Sequence, residues 1–170
     1  GNRISMIFQD PMMTLNPVLT IGTQMVETLL AHRSITWAEA EAIALKKLKK
    51  VQIPSPEKRL AQYPHEFSGG MRQRIVIAIA LVTDPEIIIA DEPTTALDVT
   101  IQAEIMDLLQ QLCESEDTGL ILITHDLGVV SQVTEKIAVM YAGKIVESGL
   151  TDQVVNDPKH PYTQGLIKAL

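Results

Sequence analysis

Several things are scarce in this sequence, and each scarcity excludes something. A single cysteine, Cys113, in 170 residues rules out an intramolecular disulfide and fits a reducing compartment. Aromatic residues make up only 4%, so the core must be filled by Ile, Leu, Val, Met and Ala. The longest unbroken apolar run, Ile75–Val82, is far shorter than the about 20 residues a membrane-spanning helix needs. Positive charge is also short: a net charge of −7 leaves no basic stripe to displace counterions, which argues against a nucleic-acid backbone as the main partner. The one local exception is Lys46-Lys47 with Lys49-Lys50, read as the solvated face of a helix because acidic residues lie just upstream. Finally, no Gly-x-x-x-x-Gly-Lys-[Ser/Thr] loop occurs, and the only Gly-Lys pair, Gly143-Lys144, is followed by Ile145 between two apolar runs.

What is present suits one domain, or one large and one small lobe, of ordinary globular composition, with 46% hydrophobic and 21% charged residues. Asn2–Phe8 alternates like a strand and stops at Gln9-Asp10-Pro11. Helical patterns follow over Ile21–His32 and Thr36–Val51, the second opened by a capping box of Thr36 and Glu39. Ser68 precedes a mostly apolar helix over Met71–Thr83, expected to be buried on most sides. Ile87–Ala90 and Leu120–Thr124 read as strands buried on both faces of a parallel sheet. Between them, Ile101–Cys113 sets Ile101, Ile105, Leu108, Leu109 and Leu112 on one helix face. Ile137–Tyr141 and Lys144–Ser148 flank Ala142-Gly143 as a hairpin. This order predicts an α/β core of parallel strands with crossover helices. The helical stretch 11–66 reads as an inserted lobe.

Three features carry chemistry. Asp91-Glu92-Pro93 ends a buried run, and carboxylates at the carboxyl end of a parallel strand face the crevice where such sheets bind ligands. Asp91 can hold Mg²⁺ there, and Glu92 can take a proton from an attacking water. A plain loop acid pair is the competing reading. Ser68-Gly69-Gly70 opens a helix whose amides and dipole favour phosphate, although an ordinary N-cap looks the same. Gln9 and His125 also follow strand ends, where His125 either senses a phosphate or is structural. Asp98 reads locally as a helix cap. Arg72 and Arg74 either face phosphate or line a solvated first turn.

In this order, the residues resemble the ATP-binding subunit of ABC transporters. Phe67-Ser68-Gly69-Gly70-Met71-Arg72-Gln73-Arg74 resembles the family signature and 87–93 its Walker B strand. Gln9 resembles the Q-loop glutamine, Thr95–Asp98 the D-loop and His125 the switch histidine. Three segments are similar to the dipeptide, oligopeptide and nickel importer branch: Phe8-Gln9-Asp10-Pro11 with Leu15-Asn16-Pro17, Tyr63–Gly70, and His160–Leu166. The resemblance implies a P-loop NTPase-like fold, with an ATPase core at 1–10 and 67–150. It also implies a helical lobe at 11–66 and the start of a C-terminal extension at 151–170.

The resemblance further implies ATP and Mg²⁺ as cofactors, with Asp91 and Gln9 as metal ligands and Glu92 and His125 as catalytic residues. Ser68, Gly69, Gly70, Gln73, Gln9 and Asp98 become nucleotide-binding, the signature glycines acting on the site of a second ABC ATPase subunit. Transmembrane permease subunits are expected to dock on the 11–66 lobe, with a substrate-binding protein engaged indirectly, at the cytoplasmic face of the cell membrane. The expected function is an ATPase energising peptide or nickel import. Two alternatives stand beside it: a shortened subunit that completes a partner's site, and a soluble ABC ATPase of DNA repair or translation. Only eight residues precede Gln9, so the Walker A loop is missing and the chain is expected to be a fragment, inactive alone.

Overall fold

A computed structural model describes residues 1–95 and 97–169. These form two compact units, Gly1–Ile123 and Thr124–Leu170.

The first unit is built on a three-stranded parallel sheet of β1 (Ile4–Ile7), β2 (Ile87–Asp91) and β3 (Gly119–Ile123), in the order β1-β2-β3. Ile7 pairs with Ala90, and Asp91 with Ile123, so the carboxyl ends of all three strands fall on one edge. Between β1 and β2 run α1 (Pro11–Thr14), α2 (Ile21–Leu30), α3 (Trp37–Lys50), α4 (Pro56–Arg59) and α5 (Gly69–Leu81). The crossover from β2 to β3 is α6 (Val99–Ser115). Crossovers of this kind are what parallel strands require.

The helix starts follow local chemistry. Thr20 caps α2 by accepting from Thr23 N at 3.2 Å. The capping box opening α3 forms as expected: Thr36 Oγ1 accepts from Glu39 N at 3.2 Å, while Thr36 N donates to Glu39 Oε2 at 2.7 Å. Gly22 has a tertiary reason. Its N–H donates to Leu60 O at 2.8 Å, and a Cβ there would sit 2.8 Å from that same oxygen.

One hydrophobic core joins these layers. Ile7 and Ile88 from the sheet, Met25 and Leu29 from α2, Ala44 and Leu48 from α3, Ile75 and Ile77 from α5, and Leu109 from α6 are all fully buried. The α5 segment is therefore enclosed as its composition suggests. The shared core is also why this compact unit takes in the helices of 11–66 together with the sheet, with its boundary after Ile123.

Two expectations are corrected. Neither β2 nor β3 is buried on both faces: Ile88 and Ala90 are covered, but Ile87 and Ile89 are half-buried, and Ile121 and Ile123 are exposed. On β1, Ile4 and Met6 are likewise exposed while Ile7 is fully buried. Among the described residues of the first unit, helices cover the side of the sheet that carries Ile7, Ile88 and Ala90. The lysine cluster is not uniformly solvated either. The Lys47 side chain is 6% exposed and donates to Asp84 Oδ1 and Glu116 Oε2, each at 2.7 Å. Arg33 adds a 2.8 Å bond to Asp84, and Lys50 pairs with Glu116. Burying an ammonium requires such partners, and they come from the loop after α5 and the end of α6.

The second unit contains α7 (Leu127–Val133), the antiparallel pair β4 (Lys136–Tyr141) and β5 (Lys144–Leu150), α8 (Thr151–Asn156) and α9 (Pro161–Lys168). The hairpin turns at Ala142 and Gly143, both at positive φ. The His160–Leu166 motif begins α9: His160 Nδ1 accepts from Tyr162 N at 3.1 Å, with Pro161 at the first helical position. Glu147 Oε1 and Oε2 accept from Lys159 N and His160 N at 2.7 and 3.0 Å. These backbone donors hold its carboxyl below the usual range.

Candidate functional site

The candidate site of the first unit lies where β1 and β2 end. Gln9 is two residues past Ile7, and Asp91 and Glu92 follow Ala90, the residue paired with Ile7. Both carboxylates are half-buried. Glu92 occupies the left-handed region at φ 47°, which costs a non-glycine residue about 1–3 kcal/mol and persists only where its surroundings impose it. The surroundings here are specific. Glu92 N donates to Ile123 O at 2.8 Å, which ties it to β3. Thr95 N donates to Glu92 O at 3.3 Å, closing a turn with Pro93 in its second position. Thr95 Oγ1 then donates to Glu92 Oε2 at 2.7 Å.

The amino end of α5 stands across a cleft of about 160 Å³ lined by Gln9, Met12, Gly69, Arg72, Gln73 and Pro93, among others. Ser68 is the N-cap, its Oγ accepting from Met71 N at 3.3 Å. Ser68 and Gly69 are exposed, and first-turn amides have no partner within their own helix. Gly70 has a packing reason: a Cβ there would stand 3.0 Å from Ile101 Cγ2 at the start of α6. Gln73 is buried in the cleft wall, 1% exposed, and its Nε2 has no hydrogen-bond partner among the described residues.

The two arginines turn inward to backbone carbonyls. Arg72 Nε donates to Pro64 O at 2.9 Å. Arg74 donates to Val51 O at 3.3 Å, the residue closing α3, and also pairs with Glu104. Asp98 holds the N-cap position of α6, yet makes no capping hydrogen bond among the described residues and is exposed. His125 belongs to the second unit. It is exposed and lies between Thr124, whose Oγ1 accepts from Asp126 N at 3.0 Å, and Asp126, which caps α7 through Gly128 N.

So the structure brings Gln9, Gly69 and Gln73 around one cleft in the first unit, with Pro93 of the Asp91-Glu92-Pro93 turn in its wall. Among the described residues, no group of three or more His, Cys, Asp or Glu could hold a metal ion. Sequence reasoning missed the hydroxyl of Thr95. Its signal was available in Glu92-Pro93-Thr94-Thr95, a proline turn that brings residues three apart together.

A parallel α/β core with an acid pair at a strand end and a glycine-opened helix beside it is an arrangement shared with P-loop NTPases of the ATP-binding cassette type, whose solved structures this chain superposes on. The ABC transporter family profile matches residues 1–95, and the chain belongs to that family. It is 56% identical over its full length to the oligopeptide transport ATP-binding protein OppD of Bacillus subtilis (strain 168), covering 48% of that protein. It is 58% identical over 167 residues to the dipeptide transport ATP-binding protein DppD of the same organism, covering 98% of this chain and 50% of DppD. The chain thus spans about half the length of the curated relatives it matches.

Solved structures agree. The dimeric ATP-binding cassette MJ0796, in a post-hydrolysis state bound to ADP and Pi, superposes with a TM-score of 0.74 at 30% identity. That match covers 88% of this chain and 63% of the other. The cbiO1 protein of Clostridium perfringens, part of the transporter complex cbiONQ, reaches 0.79 at 28% identity, over 92% and 60% of the two chains.

Proposed function

We propose that this chain is part of the ATP-hydrolysing subunit of a peptide-importing ABC transporter. The observation that carries the reading is the strained Glu92 at the end of β2, with Gln9 and the amino end of α5 bordering the adjacent cleft. The names of the relatives, an oligopeptide and a dipeptide transport ATP-binding protein, supply the substrate class.

In this reading Glu92 takes the proton of the attacking water, and its restrained backbone presents the carboxylate without reorganisation. Asp91 and the Gln9 carboxamide are hard oxygen donors suited to Mg²⁺. That ion is held by one or two carboxylates together with substrate phosphates, so a larger acidic cluster is not needed. When bound, Mg²⁺ neutralises charge on the transferring phosphate. His125 contacts the γ-phosphate. Ser68, Gly69 and Gly70 offer their helix amides to the nucleotide of a second ATPase subunit, with Gln73 behind them in the cleft wall and Asp98 at the subunit interface. The 11–66 helices dock on the permease, and the protein works at the cytoplasmic face of the membrane.

The test is Mg-ATP hydrolysis by the full-length product of the gene, purified with and without Glu92→Gln. The substitution keeps the shape and removes the base, so turnover should fall roughly 10²–10⁴-fold. Wild-type turnover in that variant would overturn the assignment.

A further inference from the structure

The bond from Thr95 to Glu92 has a consequence for the reaction. Glu92 is fixed at its backbone by the 2.8 Å bond to Ile123 O, but a glutamate side chain has three rotatable bonds beyond that anchor. Within the turn, Thr95 Oγ1 donates to that side chain's far end, 2.7 Å from Oε2. That length is typical of a hydroxyl donating to an ionised carboxylate. The turn itself delivers the donor. Pro93 restricts the second position, and Thr95 N closes onto Glu92 O at 3.3 Å, which places the Thr95 side chain beside the carboxylate it serves. The turn continues through Thr94, whose backbone carbonyl accepts from Leu97 N at 3.0 Å.

We propose that Thr95 is a positioning residue for Glu92, its hydroxyl holding one carboxylate oxygen so that the group faces the attacking water in a single orientation. The inference rests on the reading of Glu92 as the general base. Thr95 acts through Glu92, and substrate binding does not depend on it. Losing the hydroxyl therefore lowers kcat and leaves KM for Mg-ATP in place.

The experiment uses the full-length gene product and four variants: Thr95→Val, Thr95→Ser, Glu92→Gln, and Thr95→Val combined with Glu92→Gln. Thr95→Val keeps the branched shape and should lower kcat about tenfold, the scale of one hydrogen bond to a charged group. KM and the melting temperature should be unchanged. Thr95→Ser, which keeps the hydroxyl, should restore most of the rate. In the Glu92→Gln background, Thr95→Val should cause no further loss, because the two residues act as one unit.

Wild-type kcat in Thr95→Val, beside a crippled Glu92→Gln, would overturn the role of Thr95 alone. A full additional loss in the double variant, or failure of serine to rescue, would do the same. Undiminished turnover in Glu92→Gln, or no hydrolysis by the unsubstituted protein, would instead remove the reading on which the inference stands.

Discussion

Replacing Lys47 by methionine separates the charge of a buried ammonium from the packing of its stem. Lys47 Nζ makes two 2.7 Å bonds, to Asp84 and Glu116, from a side chain that is 6% exposed. Hydrogen bonds between charged partners contribute about 1.5–3 kcal/mol each. The two are not equal here. Asp84 is 53% exposed and keeps Arg33, so its loss is largely made good by water and that guanidinium. Glu116 is 11% exposed and keeps Lys50 as its remaining cation among the described residues, so it bears most of the cost. Methionine preserves the apolar stem, and the net loss should be about 2–3 kcal/mol. For a chain of this size each kcal/mol lowers Tm by about 2–4 °C.

The assay is urea denaturation of this chain followed by circular dichroism, with Lys46→Met as the control. Lys46 is exposed on the same helix, and its substitution should cost less than about 0.5 kcal/mol. The pH dependence adds a second check. Burial pushes the Asp84 and Glu116 carboxyls up, but hydrogen bonds from Lys47, Arg33 and Lys50 outweigh it and leave both below the usual carboxylate range. Groups with depressed folded values stabilise fully above the unfolded range near about pH 4, and lose that contribution as pH falls through the folded values. The gap between Lys47→Met and the parent should therefore hold from neutrality to about pH 5 and narrow below about pH 4. Equal stability of the Lys47→Met and Lys46→Met chains at pH 7 would refute the reasoning, as would a gap that does not narrow in acid.

Two further outcomes are expected alongside the kinetic tests of Glu92 and Thr95. Gly22→Ala should destabilise by about 1–3 kcal/mol, because the new Cβ would lie 2.8 Å from Leu60 O, a backbone atom that cannot step aside; denaturant midpoints decide it. Cys113 should resist a disulfide reagent at pH 8 until the chain unfolds. Burial first, then Glu116 and Glu114, push its thiol up to about 11, so almost no thiolate exists to react; rapid labelling of the native chain would contradict this.

Much of the architecture was legible because its causes are local. Thr36 and Glu39 stand three residues apart, and that spacing is itself the capping box. The helix opened by Ser68 and the strand ending at Asp91 follow from runs of apolar residues bounded by glycine, proline and acid. The candidate residues Gln9, Asp91 and Glu92 were found the same way, as polar groups at the ends of such runs. Other features had no local signature. Lys47 looks like its neighbours in sequence, and what distinguishes it is the approach of Asp84 and Glu116, 37 and 69 positions away. Gly22 answers to Leu60, Gly70 to Ile101, and the arginines of the signature segment to carbonyls at Pro64 and Val51.

The short helices α1, α4, α7, α8 and α9 aside, the sequence by itself thus determined strands β1 to β5, the longer helices α2, α3, α5 and α6, and which polar groups stand at the strand ends. Those follow from backbone geometry and near-neighbour bonds. Only the tertiary structure decided which charge is buried, which glycine is obligatory and which face of the sheet is covered. Desolvation and close packing depend on the segments that fold over a residue, and no short window of sequence contains them.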